Sequence, residues 1–135
     1  MSTTATEVAT PQYMFRDDDR CLGPICTALR SGMECTAIYG FSDKMHFDTF
    51  RENSSLQLKP YPLVKVFLRD QAETAEDGLR LIVLDAAKPD APLLHAATMA
   101  AVLAVRQQRT TKLVSTHTLT FDQSVNAYRA VAVSK

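Results

Sequence analysis

The stretch APLLHAATMAAVLAVRQQR, residues 91–109, decides how the chain is read. It is dominated by alanine and leucine, it has no glycine, and its one proline, Pro92, stands at the start. That composition predicts a helix over 91–109, with Asp90 as its N-cap and the proline in its first turn. Wound at about 100° per residue, Leu93, Ala96, Ala97, Ala100 and Ala104 fall on one smooth face. A smooth face lets another backbone approach closely, so it is expected to lie on a sheet. Leu94, Ala101 and Val105 form an adjoining apolar stripe. The remaining face carries His95, Met99, Val102 and Arg106, flanked by Thr98 and Arg109. It would face water in an isolated domain, yet its middle is apolar, so it is expected to pack on a partner subunit.

Strand signals flank this helix. Downstream, 112–121 and 125–134 alternate about Asp122-Gln123-Ser124 and predict a hairpin. A three-residue loop would set Phe121 against Val125, Leu119 against Ala127, Leu113 against Val133 and His117 against Arg129. Thr116, Thr118 and Thr120 would then form a solvated row. Upstream, 63–69 and 79–85 are rich in strand formers, and the second, apolar on both faces, is expected to lie centrally in a sheet. The connection 70–78 carries Asp70, Glu73, Glu76 and Asp77 and no base, and is long enough to hold a helical turn.

Further upstream, 53–62 reads as a loop. Ser42 can cap a helix over 43–52 with Met45, Phe47 and Phe50 as its apolar positions, and 34–41 reads as a strand. Gly23-Pro24 can open a short helix reaching Arg30, and Ser31-Gly32 can stop it. Arg16 to Arg20 is a charged turn, and Met1 to Gln12 a polar arm. The expected fold is α+β: a mainly antiparallel sheet of about five strands, two hairpins flanking a central Ala-rich helix, with two short N-terminal helices. Residues 1–15 form an extended arm and 16–135 a single domain.

At 135 residues the chain suits one domain with an ordinary core. Fifteen basic and fifteen acidic residues cancel, which argues against a generic phosphate-backbone binder, so no nucleic-acid partner is expected. The N-terminal residues lack the basic start and apolar core of a signal peptide. The longest near-apolar stretch, 91–105, contains His95 and Thr98 and is short for a bilayer, so no membrane partner is expected. Three cysteines do not close a disulfide framework and fit a reducing compartment. A cytoplasmic or virion location is expected.

The chemical motifs are weak. Cys21, Cys26, Cys35 and His46 lack the close cysteine pair of structural zinc sites. On a helix Asp43, His46 and Phe47 share a side while Asp48 points elsewhere, which breaks up the only carboxylate–histidine cluster. Asp17, Asp18 and Asp19 lie in a run bracketed by arginines and match no calcium loop. Gly23, Gly32, Gly40 and Gly78 are too scattered for a phosphate loop, and no Gly-x-Ser-x-Gly elbow is present. No catalytic residue, metal ligand or cofactor site is therefore assigned.

The expectation is a non-catalytic subunit of a larger assembly, built with copies of itself or neighbouring subunits. Connector, terminator and decoration subunits of tailed phages offer an analogy in size and mixed architecture. The candidate interface is His95, Met99, Val102 and Arg106 together with Asp70, Glu73, Glu76 and Asp77. The acidic run could meet the basic cluster Arg106, Arg109 and Lys112 of a neighbouring copy. The alternatives are a small-molecule-binding or enzymatic domain with a pocket between helix and sheet, using His46, Asp48 and His117, and a regulatory adaptor for one protein partner.

Overall fold

The computed structural model describes residues 7–17, 20–21, 23–24, 26–28, 34–54, 59–74, 78–88 and 91–133. The chain opens with β1 (Glu7–Ala9), β2 (Tyr13–Asp17), β3 (Arg20–Cys21) and β4 (Cys26–Ala28). There follow β5 (Glu34–Phe41), α1 (Lys44–Glu52), β6 (Lys59–Pro62), α2 (Lys65–Thr74) and β7 (Gly78–Leu84). The last third holds β8 (Leu93–Thr98), α3 (Met99–Gln107), β9 (Lys112–Val114), β10 (His117–Asp122) and β11 (Ala127–Ala132). The fold is mixed α+β and mostly sheet.

The main sheet runs β3-β2-β5-β7-β8-β10-β11-β4, with β6 also paired to β2, and β1 and β9 form a separate two-stranded ribbon. β7 takes the central place its sequence predicts, parallel to β5 and antiparallel to β8. β11 and β4 are also parallel. The sheet curls until β4 lies beside β5, but no ladder joins those two strands among the described residues, and the sheet is not closed.

Strand alternation splits the interior in two. Ala37, Tyr39 and Phe41 of β5, Leu81 and Val83 of β7, and Leu94 and Ala96 of β8 point to one core. Phe47 and Phe50 of α1 cover it, and the curled sheet closes over it through Leu119, Tyr128 and Ala130. Phe50 sits among Tyr39, Phe41 and Phe15 at ring-centroid distances of 4.6, 5.4 and 5.6 Å. The intervening residues Ile38, Ile82, Leu84 and Ala97 face the second core, filled by Leu68 of α2 and Met99 and Val102 of α3. No helix among the described residues is long and apolar enough to cross a membrane.

The structure corrects the reading of 91–109. Its first part is strand β8, and the helix begins only at Met99. Alanine favours a helix in isolation, but here Leu93 to Thr98 has a neighbour on each side, β10 and β7, that satisfies its backbone. Thr98 is the true helix cap: its side chain accepts from the Ala101 N–H at 3.1 Å. The faces change with it. Met99 and Val102 are buried against α2, whereas Ala100 and Ala104 are exposed and Leu93 is 50% exposed.

Three further expectations change. The segment 63–69, read as a strand, leads into α2, whose buried Leu68 packs with α3 while Val64 and Val66 stay exposed. Lys65, Leu68, Arg69 and Gln71 are good helix formers and outweigh the two β-branched valines. There is consequently no first hairpin, and α1, β6 and α2 connect the parallel pair β5 and β7. The helix expected from Gly23 is replaced by β4, which pairs with β11, and 29–33 lie outside the described residues. The supposed arm is integral where it is described: β1 pairs with β9, and Met14 and Phe15 of β2 are core residues.

The C-terminal hairpin forms, in a different register. Its loop has four residues, so Phe121 faces Tyr128, Leu119 faces Ala130 and His117 faces Ala132. Asp122 shapes the turn by accepting from the Ser124 N–H and hydroxyl at 2.9 and 2.6 Å, and Asn126 closes it with φ of 52°. Asparagine tolerates that left-handed conformation better than most residues. Relative to a three-residue loop the partner strand moves by three positions, an odd number, so Tyr128 and Ala130 turn inward and Arg129 outward. Thr118, expected in a solvated row, is buried.

Candidate functional site

The loop 10–12 builds one end of the molecule. The Thr10 N–H donates to Thr111 O at 3.0 Å, and its hydroxyl donates to Thr110 O at 3.0 Å. The Gln12 N–H donates to Phe41 O, and the Leu63 N–H donates to Gln12 O, both at 2.8 Å. Three short backbone positions thus tie together the end of β5, the approach to α2 and the exit from α3. Between them lies a cleft of about 430 Å³, lined by Lys65, Arg106, Arg109 and Asp43 with Thr10, Gln12, Thr110 and Thr111. That volume falls in the usual range for small-molecule sites. The cleft adjoins the carboxyl ends of the parallel strands β5 and β7, where open sheets commonly bind ligands.

The cations arrive from helix ends. Lys65 opens α2, and Arg106 stands in the last turn of α3. Beyond α3 the Thr110 N–H donates to Val105 O at 2.9 Å and the Arg109 N–H to Arg106 O at 3.1 Å, a Schellman closure. Its left-handed position, φ of 58°, is held by Arg109 where glycine is usual. A side chain there costs about 1 kcal/mol, and strain of this kind collects at functional sites. Arg106 is half-buried and its Nη1 has no hydrogen-bond partner among the described residues. Burial pulls its basicity below the ordinary guanidinium value. Three cations therefore face one carboxylate, and an anion placed between them would give the half-buried Arg106 a partner.

The opposite wall is a polar scaffold. Asp43 caps α1 by accepting from the His46 N–H at 3.0 Å, and His46 Nδ1 donates to the same oxygen at 2.6 Å. The backbone bond from His46, then the side-chain one, hold Asp43 below the usual carboxylate value. Asp85 follows β7 with φ of 48° and accepts from the Ser42 N–H and hydroxyl, each at 2.7 Å. Ser42 Oγ is 3.5 Å from His46 Nδ1. This is no nucleophile triad. The ring nitrogen facing Ser42 is the one bound to Asp43, and the Ser42 hydroxyl donates to the Asp85 carboxylate, so the serine–histidine hydrogen bond of a triad is not made.

Of the residues singled out in the sequence, Arg106 lines the cleft. His95 lies on β8, half-buried, with Nδ1 lacking a hydrogen-bond partner among the described residues. Met99 and Val102 are covered by the chain's own α2 and offer no free surface. Asp70 is exposed on α2, Glu73 belongs to the same helix, and Glu76 and Asp77 lie outside the described residues. Of the basic cluster, Lys112 pairs with Glu7 at 3.6 Å instead of joining the cleft. Asp48 is engaged by Lys44 and Arg51 on the outer side of α1. Cys35 lies near the start of β5 and His46 on α1, beyond the far end of that strand, and no metal-binding group occurs among the described residues.

His117 is separated from Arg129, which pairs with Asp122. Thr116 Oγ1 accepts from the Thr98 N–H at 3.0 Å and is hydrogen-bonded to His117 Nδ1 at 2.8 Å. Burial holds His117 below the ordinary imidazole value. Below about pH 6.5 the unfolded chain then binds this proton more readily than the folded one. The contribution is complete above that pH and is lost as pH falls toward the folded value. Wild-type melting temperature is expected to fall by a few degrees between pH 7 and 5, and His117→Asn to flatten the decline. An unchanged slope in the variant would assign the dependence elsewhere.

The cleft residues Thr10, Gln12, Lys65, Thr110 and Thr111 were missed by sequence reasoning. The available signal was indirect: Thr98 as a cap places the end of α3, and with it Arg106 and Arg109, at the mouth of the cleft. Compared with models of known families, with curated proteins and with solved structures, the chain matches none.

Proposed function

We propose that the chain is a small-molecule-binding domain whose ligand is a compact anion carrying a carboxylate or phosphate. The observation that carries this reading is the convergence of Lys65, Arg106 and Arg109 on one cleft, against an Asp43 already engaged by His46. The threonine hydroxyls and the Gln12 amide supply neutral groups to orient the rest of such a ligand. The Ser42, His46 and Asp85 arrangement supports binding over catalysis, since its protons are committed to fixed bonds.

Inorganic phosphate is the probe. Replacing chloride by phosphate at constant ionic strength should raise the melting temperature, by about 2.7 kcal/mol of stability at a hundredfold excess over Kd. The rise should shrink in Lys65→Met/Arg106→Met. An equal rise in that variant would reduce the effect to the general action of phosphate on protein surfaces and sink the reading.

A second reading, a subunit of a larger assembly such as a virion, draws support from exposed apolar residues. Leu93, Phe121 and Val125 are 50%, 39% and 48% exposed. The bond from the Phe121 N–H to Pro92 O brings the first two to one end of the sheet. Mass photometry separates the readings. A monomer stabilised by phosphate favours the first; a closed oligomer indifferent to phosphate favours the second.

A further inference from the structure

The seam between β4 and β5 is the place where the curled sheet fails to close. β5 is paired with β7 along Glu34 to Gly40, but its other edge meets β2 only at Gly40 and Phe41. Among the described residues, the edge from Glu34 to Tyr39 has no ladder. β4, paired on its far side with β11, lies against this edge. Gly23, just before β4, comes so close that a Cβ there would sit 1.7 Å from Ala37 O.

Cys26 of β4 and Cys35 of β5 meet across the seam. Both are half-buried, both are free thiols, and both pack on the first core. The Cys26 thiol donates a hydrogen bond to the Cys35 sulfur. We propose that Cys26 and Cys35 form a reversible disulfide that joins β4 to β5 and covalently closes the ring β5-β7-β8-β10-β11-β4. The oxidant is a small-molecule disulfide of the glutathione type.

The reaction balances by thiol–disulfide exchange. The Cys35 thiolate attacks one sulfur of oxidised glutathione and expels the other as a thiolate, which takes a proton. Cys26 then loses its proton and attacks the Cys35 sulfur, releasing the second glutathione. Two protein thiols are oxidised by two electrons, and one glutathione disulfide is reduced to two thiols. The local hydrogen bond favours this order. It holds Cys35 below the ordinary thiol value, while the same bond, then burial, pushes Cys26 well above it. Cys35 is thus the attacking thiolate and Cys26 the resolving thiol.

The test uses the full chain carrying Cys21→Ser, which removes the third cysteine, alongside the wild type. After equilibration with oxidised glutathione, free thiols are alkylated and the protein is digested with trypsin, which cuts between the two cysteines at Arg30. The expected result is that peptides 21–30 and 31–44 are recovered joined by one disulfide, that dithiothreitol separates them, and that the oxidised protein melts several degrees above the reduced one. Recovery of both peptides alkylated, or each carrying glutathione, would overturn the proposal. Pairing through Cys21 in the wild type would overturn it as well.

Discussion

Val102→Asp is expected to abolish cooperative thermal unfolding, while Leu93→Asp leaves it intact. Val102 is fully buried in the second core beneath α2. A carboxylate there would have to be desolvated or protonated, at a cost of several kcal/mol against a total stability of about 5–15 kcal/mol. Leu93 starts β8 opposite Thr120 and is half exposed, so aspartate can reach water, and the loss should stay near 1 kcal/mol. A continuous helix from Ala91 predicts the reverse ranking, with Leu93 against the sheet and Val102 outside. Circular dichroism melts of the two variants therefore decide between strand-then-helix and one long helix. A stable, cooperatively melting Val102→Asp would refute the placement of α3.

The second large effect is expected at Gly23. The obstacle to a side chain there is the backbone of β5: after Ala37 O at 1.7 Å, Ala37 C lies 2.5 Å and the Ile38 Cα 2.7 Å away. Backbone in a central ladder cannot step aside as a flexible side chain can. Gly23→Ala must push β4 off the seam and weaken the packing of Cys26 and Tyr128 on the first core. A loss of about 3 kcal/mol or more is expected, in the class of overpacked core substitutions. Gly40→Ala is the comparison. Its obstruction is the Ile82 Cγ2 methyl at 2.4 Å, a side-chain atom where Gly23 meets backbone, so the loss should be smaller. Urea unfolding curves give both numbers, and a loss under about 1 kcal/mol for Gly23→Ala would show that its close approach does not matter to the fold.

Strand β5 and helix α1 were legible because their signals are local: β-branched and aromatic residues in the strand, then a serine and aspartate before an apolar periodicity. β7 was legible because a strand buried on both faces shows an unbroken apolar run. The failures share a physical cause. Leu94 to Ala97 reads as helix by composition and becomes strand only because β7 and β10 stand on either side. Val64 and Val66 read as strand, yet Val66 lies in α2, which packs against α3. The hairpin register turned on one residue, Asn126, able to take a left-handed conformation. The cleft was the least legible feature. Thr10, Lys65 and Arg109 lie far apart in sequence and follow no shared period, so only the tertiary fold collects them. Arg106 entered the candidate set for another reason, as the rim of a face that proved to be internal.

The pairing of β4 with β11 has a consequence in time as well as in space. Cys26 aligns with Tyr128, a partner made about a hundred residues later. At ~5–20 residues per second of synthesis, β4 stays without its ladder for roughly 5–20 s. Helix α1 and its aromatic contacts with β5 need nothing from the C-terminal hairpin, so they can assemble on the nascent chain. The N-terminal segment must wait, and contacts so distant in sequence make folding slow. During synthesis this chain carries a strand whose ladder with β11 cannot form until the last strand has been made.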